Sequence, residues 1–90
     1  MKLTAHYTSG FVSWWESLEA PEQVALHHAI INLLKPETLM SLHAHTQYAQ
    51  MGELHVTHEH YTYNILYAFD LKQSTIVLVG GTKNLSCALQ

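Results

Sequence analysis

Arginine is absent from this chain of 90 residues, and four lysines are its only permanently cationic side chains. Nucleic-acid binders normally carry a basic surface, because contacts with phosphates supply most of their affinity. Here seven acidic residues leave a net charge of −3 with the histidines neutral. Eight histidines would add positive charge only below about pH 6.5. The charge balance therefore disfavours direct binding of nucleic acid.

Cysteine and long apolar runs are also scarce. The single cysteine, Cys87, excludes an internal disulfide framework. No apolar run approaches the roughly 20 residues that cross a bilayer. The first ten residues, MKLTAHYTSG, lack the apolar core of a signal peptide. We therefore expect a cytoplasmic protein without membrane contact.

The composition predicts a folded domain of limited stability. Hydrophobic residues make up 48% of the chain and charged residues only 12%, which argues against disorder. A chain of 90 residues predicts one domain, spanning 1–90, with a modest core. Because such a core stabilises a fold only marginally, a partner would help to complete it.

Two helices are predicted in the first part of the chain. The first, Phe11–Leu18, has an apolar stripe at spacing i, i+3, i+4 and i+7. The second, Pro21–Lys35, begins with a proline, which suits a first helical turn, and stops at Pro36. Its apolar residues form two rows, which are Val24, Ile31 and Leu34 on one face and Leu26, Ile30 and Leu33 beside them. A short strand over Lys2–Tyr7 would precede this αα-hairpin.

Three alternating strands are predicted in the second part, at Glu53–His58, Tyr61–Phe69 and Ser74–Val79. A turn over residues 70–73 joins the last two, and Gly80-Gly81 is expected to end the third strand. Alternation in the middle strand assigns Tyr61, Tyr63, Ile65, Tyr67 and Phe69 to one face, and Thr62, Asn64, Leu66 and Ala68 to the other. The predicted fold class is α+β, with the helical hairpin packed on a small, mainly antiparallel sheet.

The order and spacing of several motifs resemble the RelE/ParE superfamily of toxin–antitoxin toxins, and most closely its HigB-like, phage-associated branch. These motifs are Phe11-x-x-Trp14-Trp15-x-x-Leu18, Met51-Gly52-Glu53-Leu54, the strand Tyr61–Phe69 and Gly80-Gly81-x-Lys83. The resemblance implies the same α+β fold. It also implies an ancestry among ribosome-dependent mRNA endoribonucleases, which need no metal and whose RNA-binding side is often covered by an antitoxin.

The basic residues of that family are mostly replaced in this chain. The arginine that follows Glu-Leu corresponds to His55, those before Ile-Leu-Tyr to Tyr63 and Asn64, and a loop arginine to Ser41, while Lys83 is retained. Attack of a ribose 2′-OH on phosphate needs a base, an acid and cations for the developing charge. Losing nearly every cation therefore predicts a degenerate toxin.

His55 and Lys83 are the residues that would form a minimal catalytic site if activity remains, with His55 as the base. The plainer interpretation of His55 is a polar side chain on an exposed strand face. The residues predicted to bind a partner are Tyr48, His55, Thr57, Thr62 and Asn64. The sequence does not predict the oligomeric state.

Two other patterns suggest sites but have plainer explanations. His43-x-His45 and His58-x-His60 are spaced like metal ligands, but the second pair straddles a predicted turn, so we expect no metal and no other cofactor. The aromatic face of the middle strand could stack bases, but packing against the helices explains it better.

The function expected from these residues is that of a toxin-derived, non-catalytic protein-binding module. It would be either a phage or mobile-element inhibitor of a host defence ribonucleoprotein, in the manner of an anti-CRISPR, or an inert toxin that binds a helix-turn-helix antitoxin. The alternative is an active type II toxin, a ribosome-dependent mRNA endoribonuclease with a histidine-based site.

Overall fold

The structure, a computed structural model, describes residues 3–35, 37–38, 50–70 and 72–86. Two helices and four strands follow one another along the chain: β1 (Thr4–Tyr7), α1 (Ser9–Glu16), α2 (Ala20–Leu33), β2 (Gln50–His58), β3 (Tyr61–Asp70) and β4 (Thr75–Leu85). The strands form one sheet in the order β1-β4-β3-β2. β1 runs parallel to β4, while the other neighbours are antiparallel. No helix in these ranges is long and apolar enough to cross a bilayer.

Local hydrogen bonds explain where the elements begin and turn. The hydroxyl of Thr8 caps α1 by accepting from the Phe11 N–H at 3.1 Å. At the start of α2, the Glu19 N–H donates to the Glu22 carboxylate at 2.9 Å, as in a capping box. In the turn after β3, the Asp70 carboxylate accepts from the backbone N–H groups of Lys72 and Gln73.

The core lies between the helices and one face of the sheet, which we call the inner face. Buried residues of α1 and α2, and Leu18 between them, pack against alternate residues of β3 and β4. The residues that form this core are Phe11, Leu18, Leu26, Ile30, Leu33, Tyr63, Ile65, Tyr67, Phe69, Ile76 and Leu78. The predicted alternation of β3 is confirmed. In α2, only the row with Leu26, Ile30 and Leu33 is buried, whereas Val24 and Ile31 are exposed.

The prediction that Gly80-Gly81 ends the last strand is wrong, because β4 continues to Leu85. The glycines lie beside a β-bulge, where Val79 is an extra residue between the pairs Leu66–Gly80 and Tyr67–Leu78. The bulged Val79 carbonyl accepts a hydrogen bond from the Thr8 hydroxyl at 2.6 Å. Paired glycines usually mark turns, so the Gly80-Gly81 pair by itself predicts the end of a strand.

The bulge changes which residues of β4 face the helices. Before it, Ile76 and Leu78 point inward. After it, Gly81 lies under the Trp14 indole, and Lys83 is opposite the inward-facing Tyr63. Strict alternation from Leu78 would have put Lys83 on the other side of the sheet.

Contact between Gly81 and Trp14 predicts a stability difference between the two neighbouring glycines. A β-carbon on Gly81 would overlap the Trp14 indole, so we expect Gly81→Ala to lower the free energy of unfolding by about 1–3 kcal/mol. Gly80→Ala is the matched control, because its β-carbon would meet no atom within 4 Å. Urea unfolding of both variants measures the difference, and equal midpoints would contradict the packing described here.

Candidate functional site: the two faces of the sheet

The sheet face turned away from the helices, here called the outer face, gathers polar residues from three strands. His55, Asn64 and Thr82 form one cross-strand row, and Thr57, Thr62 and Asn84 form the next. Four of the residues predicted to bind a partner, His55, Thr57, Thr62 and Asn64, therefore lie side by side. Tyr48, the fifth, lies outside the described residues.

His55 is held between an amide and a carboxylate on the outer face. Its Nδ1 is hydrogen-bonded to Oδ1 of Asn64, and its Nε2 lies 3.4 Å from the Glu53 carboxylate. Both neighbouring oxygens accept hydrogen bonds, so an N–H on either ring nitrogen has a partner. The side chain of His55 is 64% exposed.

Beside this pair, a shallow hollow of about 350 Å³ opens on the outer face. Leu66 contributes apolar surface, Gly80 leaves the space of a missing side chain, and Glu53, Asn64 and Thr82 are polar. Gly81 also lines the hollow, although its α-carbon faces Trp14 on the inner side. Gly80 and Thr82 also belong to this surface, although no local pattern in the sequence predicts them there. Their register opposite Leu66 and Asn64 depends on the bulge, which the sequence alone does not reveal.

Lys83 lies on the inner face, so the sheet separates it from His55. Its Nζ is 2.5 Å from the Glu22 carboxylate and 4.2 Å from the centre of the Tyr61 ring. The Tyr63 hydroxyl donates to the same carboxylate at 2.5 Å. The two residues expected to share a minimal catalytic site are not brought together, and Lys83 is engaged in packing α2 against the sheet.

Glu22 is the centre of this network of hydrogen bonds, and Glu22 is not among the site residues predicted from the sequence. Hydrogen bonds from Lys83 and then Tyr63 lower the pKa of its carboxyl to about 2. The same ion pair raises the pKa of Lys83. Burial, and then the hydrogen bond to Glu22, raises the pKa of the Tyr63 phenol. The spacing of Glu19 and Glu22 as a capping box was the one signal that marked this position.

The outer face carries no lysine within the described ranges. Lys35 follows α2, Lys72 lies in the turn between β3 and β4, and Lys83 is on the inner face. Glu53, in the neighbouring row with Leu66 and Gly80, adds a negative charge beside His55. Among residues 3–35, 37–38, 50–70 and 72–86, no three His, Cys, Asp or Glu side chains are grouped as a metal site would need. His43 and His45 lie outside these ranges.

No family model matches the chain, and no curated protein matches it. Among solved structures, its fold is similar to a chain in the crystal structure of the archaeal RelE–RelB complex from Pyrococcus horikoshii OT3. The TM-score is 0.58 at 12% sequence identity, and the match covers 91% of this chain and 94% of that one. The predicted RelE-like α+β fold is confirmed.

The Glu22 network predicts a pH-dependent stability. The pKa of Glu22 is about 2 in the folded protein against an ordinary 4.5. Its stabilising contribution is therefore complete above about pH 4.5 and is lost as the pH falls towards 2. We expect Glu22→Gln to lower the free energy of unfolding at pH 7 by about 1–2 kcal/mol, less than the full pKa shift implies because Lys83 is partly solvated.

Urea unfolding of the wild type and of Glu22→Gln at pH 7 and pH 3 measures this contribution. The difference between the two proteins should shrink at pH 3. The exposed Glu37→Gln is the matched control and should show almost no difference at either pH. A Glu22→Gln effect that is the same at both pH values would contradict the network.

Proposed function

We propose that this protein is a degenerate, HigB-like member of the RelE group that binds a protein partner through its outer face and does not cleave RNA. The observation that carries the proposal is the charge of that face. Cleavage of RNA accumulates negative charge on the phosphate, and catalysts stabilise it with fixed cations. The described part of the outer face has no lysine, and the chain has no arginine.

The surroundings of His55 also oppose catalysis on RNA. A base alone contributes about 10²–10⁴-fold to a rate, whereas electrostatic stabilisation is usually the larger contribution. The Glu53 carboxylate, 3.4 Å from the imidazole, would repel an approaching phosphate. The alternative function, a ribosome-dependent mRNA endoribonuclease, is favoured by the exposure of His55, because an accessible imidazole is the commonest general base in enzymes.

The outer face has the character of a transient protein interface. Its residues are mostly polar and uncharged, and the hollow at Gly80 and Gly81 offers a place for one apolar side chain of a partner. An antitoxin is the partner class that the similar structure supports, since that protein was crystallised as a RelE–RelB complex. The other form of the proposal is a phage or mobile-element protein that uses this face to block a host defence ribonucleoprotein in the cytoplasm.

Absence of ribonuclease activity is the first test. Expression of the chain without any antitoxin should leave bacterial growth unchanged, and purified protein should leave mRNA intact on translating ribosomes, because no cation stabilises the transition state. An active RelE toxin serves as the positive control. If the wild type cleaves mRNA while His55→Ala does not, and Thr57→Ala still does, the endoribonuclease function is correct and our proposal is wrong.

Alanine scanning of the outer face is the second test. The binding partner would be the product of the gene adjacent to this one, co-expressed and purified with it, and affinity would be measured by calorimetry. We expect His55→Ala and Asn64→Ala to weaken binding, with at least one of them costing roughly 2 kcal/mol or more, because few residues dominate an interface. His55→Ala should keep the wild-type melting temperature, since His55 is exposed. A melting curve checks that Asn64→Ala, at a half-buried position of β3, is also folded.

Ser13→Ala, on the exposed side of α1, is the matched control and should bind like the wild type. Gln23 is unsuitable as a control, because its side-chain amide donates to the Trp15 carbonyl at 2.9 Å and thereby joins the two helices. Weaker binding by Ser13→Ala together with unchanged binding by His55→Ala would place the interface on the helices and contradict the model.

A further inference from the structure

An apolar groove lies on the side of the molecule opposite the outer face, between α1 and α2. Its volume is about 340 Å³. The core residues Phe11 and Ile30 are at its base, and Val12 and Ile31 are its exposed apolar residues, at 41% and 47% exposure. Tyr7, at 53% exposure, extends the apolar surface onto the edge strand β1. Single exposed apolar residues are ordinary, but a contiguous apolar groove marks a binding surface.

The second helix presents apolar residues to solvent as well as to the core. Val24 and Ile31 are exposed on its outer side, which also carries His27, His28 and Asn32. The apolar surface is continuous only around Ile31, where α2 lies next to Val12 of α1 in the groove. Within the described residues this part of the groove is open to solvent.

The charges near the groove are the observation that favours a second copy of this chain as the partner. Glu16 lines the groove at the end of α1, and Lys35 follows Leu34, which lines the groove after the end of α2. Neither side chain has an ion-pair partner among the described residues. Because α1 and α2 form a hairpin, these two residues are at opposite ends of the helix pair.

A two-fold axis turns this arrangement into a self-complementary surface. In such a contact, if residue i of one copy faces residue j of the other, then j also faces i. Two grooves laid together in opposite directions bring Glu16 of each copy near Lys35 of the other. Val12 and Ile31 of both copies are then enclosed between the two ion pairs. We propose that the protein forms a homodimer through this groove, which leaves both outer faces free for other partners.

The oligomeric state of the purified full-length chain tests the proposal. Sedimentation should show a monomer–dimer equilibrium within the range up to about 1 mM, where even a contact with Kd near 100 µM is measurable. A wild type that stays monomeric throughout this range would overturn the proposal.

Variants at exposed positions of α2 locate the dimer contact. Ile31→Glu should shift the equilibrium to monomer by at least tenfold in Kd, because it places a carboxylate in the enclosed apolar region. Asn32→Glu places the same carboxylate on the neighbouring exposed residue, which does not line the groove, and should dimerise like the wild type. Circular dichroism melting checks that both variants fold. Loss of the dimer in Asn32→Glu but not in Ile31→Glu would overturn the proposal.

Charge reversal tests the two-fold arrangement directly. Glu16→Lys alone and Lys35→Glu alone should each weaken dimerisation by about tenfold, because like charges then face each other twice. An equimolar mixture of these two variants should form a heterodimer with wild-type affinity, because both cross-contacts then pair opposite charges. A mixture that dimerises no better than either variant would exclude the Glu16–Lys35 contact and with it the proposed dimer.

Discussion

The β-bulge at Val79 is the constraint on which the arrangement of both faces depends. One extra residue in β4 reverses the alternation of every side chain after it. The carbonyl of Val79 accepts a hydrogen bond from the Thr8 hydroxyl, and the same hydroxyl caps α1. One threonine therefore links the start of α1 to the bulge, while Trp14 of α1 packs on Gly81 just beyond it.

The consequence of the bulge is that the sheet has a charged network on one side and an almost neutral surface on the other. Lys83 points inward, where it pairs with Glu22 beside the Tyr63 hydroxyl. This network joins the first turn of α2 to β3 and β4, elements that are far apart in the chain. A buried ion pair adds stability only if its hydrogen bonds are satisfied, and here the carboxylate accepts from Lys83, Tyr63 and the Glu19 backbone. The same lysine is thereby withdrawn from the outer face.

The electrostatics of the two faces suit different kinds of contact. The outer face has histidine, asparagine and threonine side chains around a small hollow, which suits a polar protein interface. The groove between the helices is apolar, with Glu16 and Lys35 toward its ends, which suits burial against another copy. Because the two surfaces lie on opposite sides of the core, occupying one does not block the other.

The sequence by itself determined the elements whose signals are local. Helical spacing from Phe11 to Leu18 and strict alternation from Tyr61 to Phe69 predict α1 and β3, since side chains repeat at 3.6 residues in helices and at two in strands. The absence of arginine also determined that few cations would be available. The tertiary structure alone decided the length of β4, which of the two apolar rows of α2 is buried, and that Lys83 and His55 lie on opposite faces. Each of these depends on contacts between distant residues, namely Gly81 with Trp14, Thr8 with Val79 and Glu22 with Lys83, which no local pattern encodes.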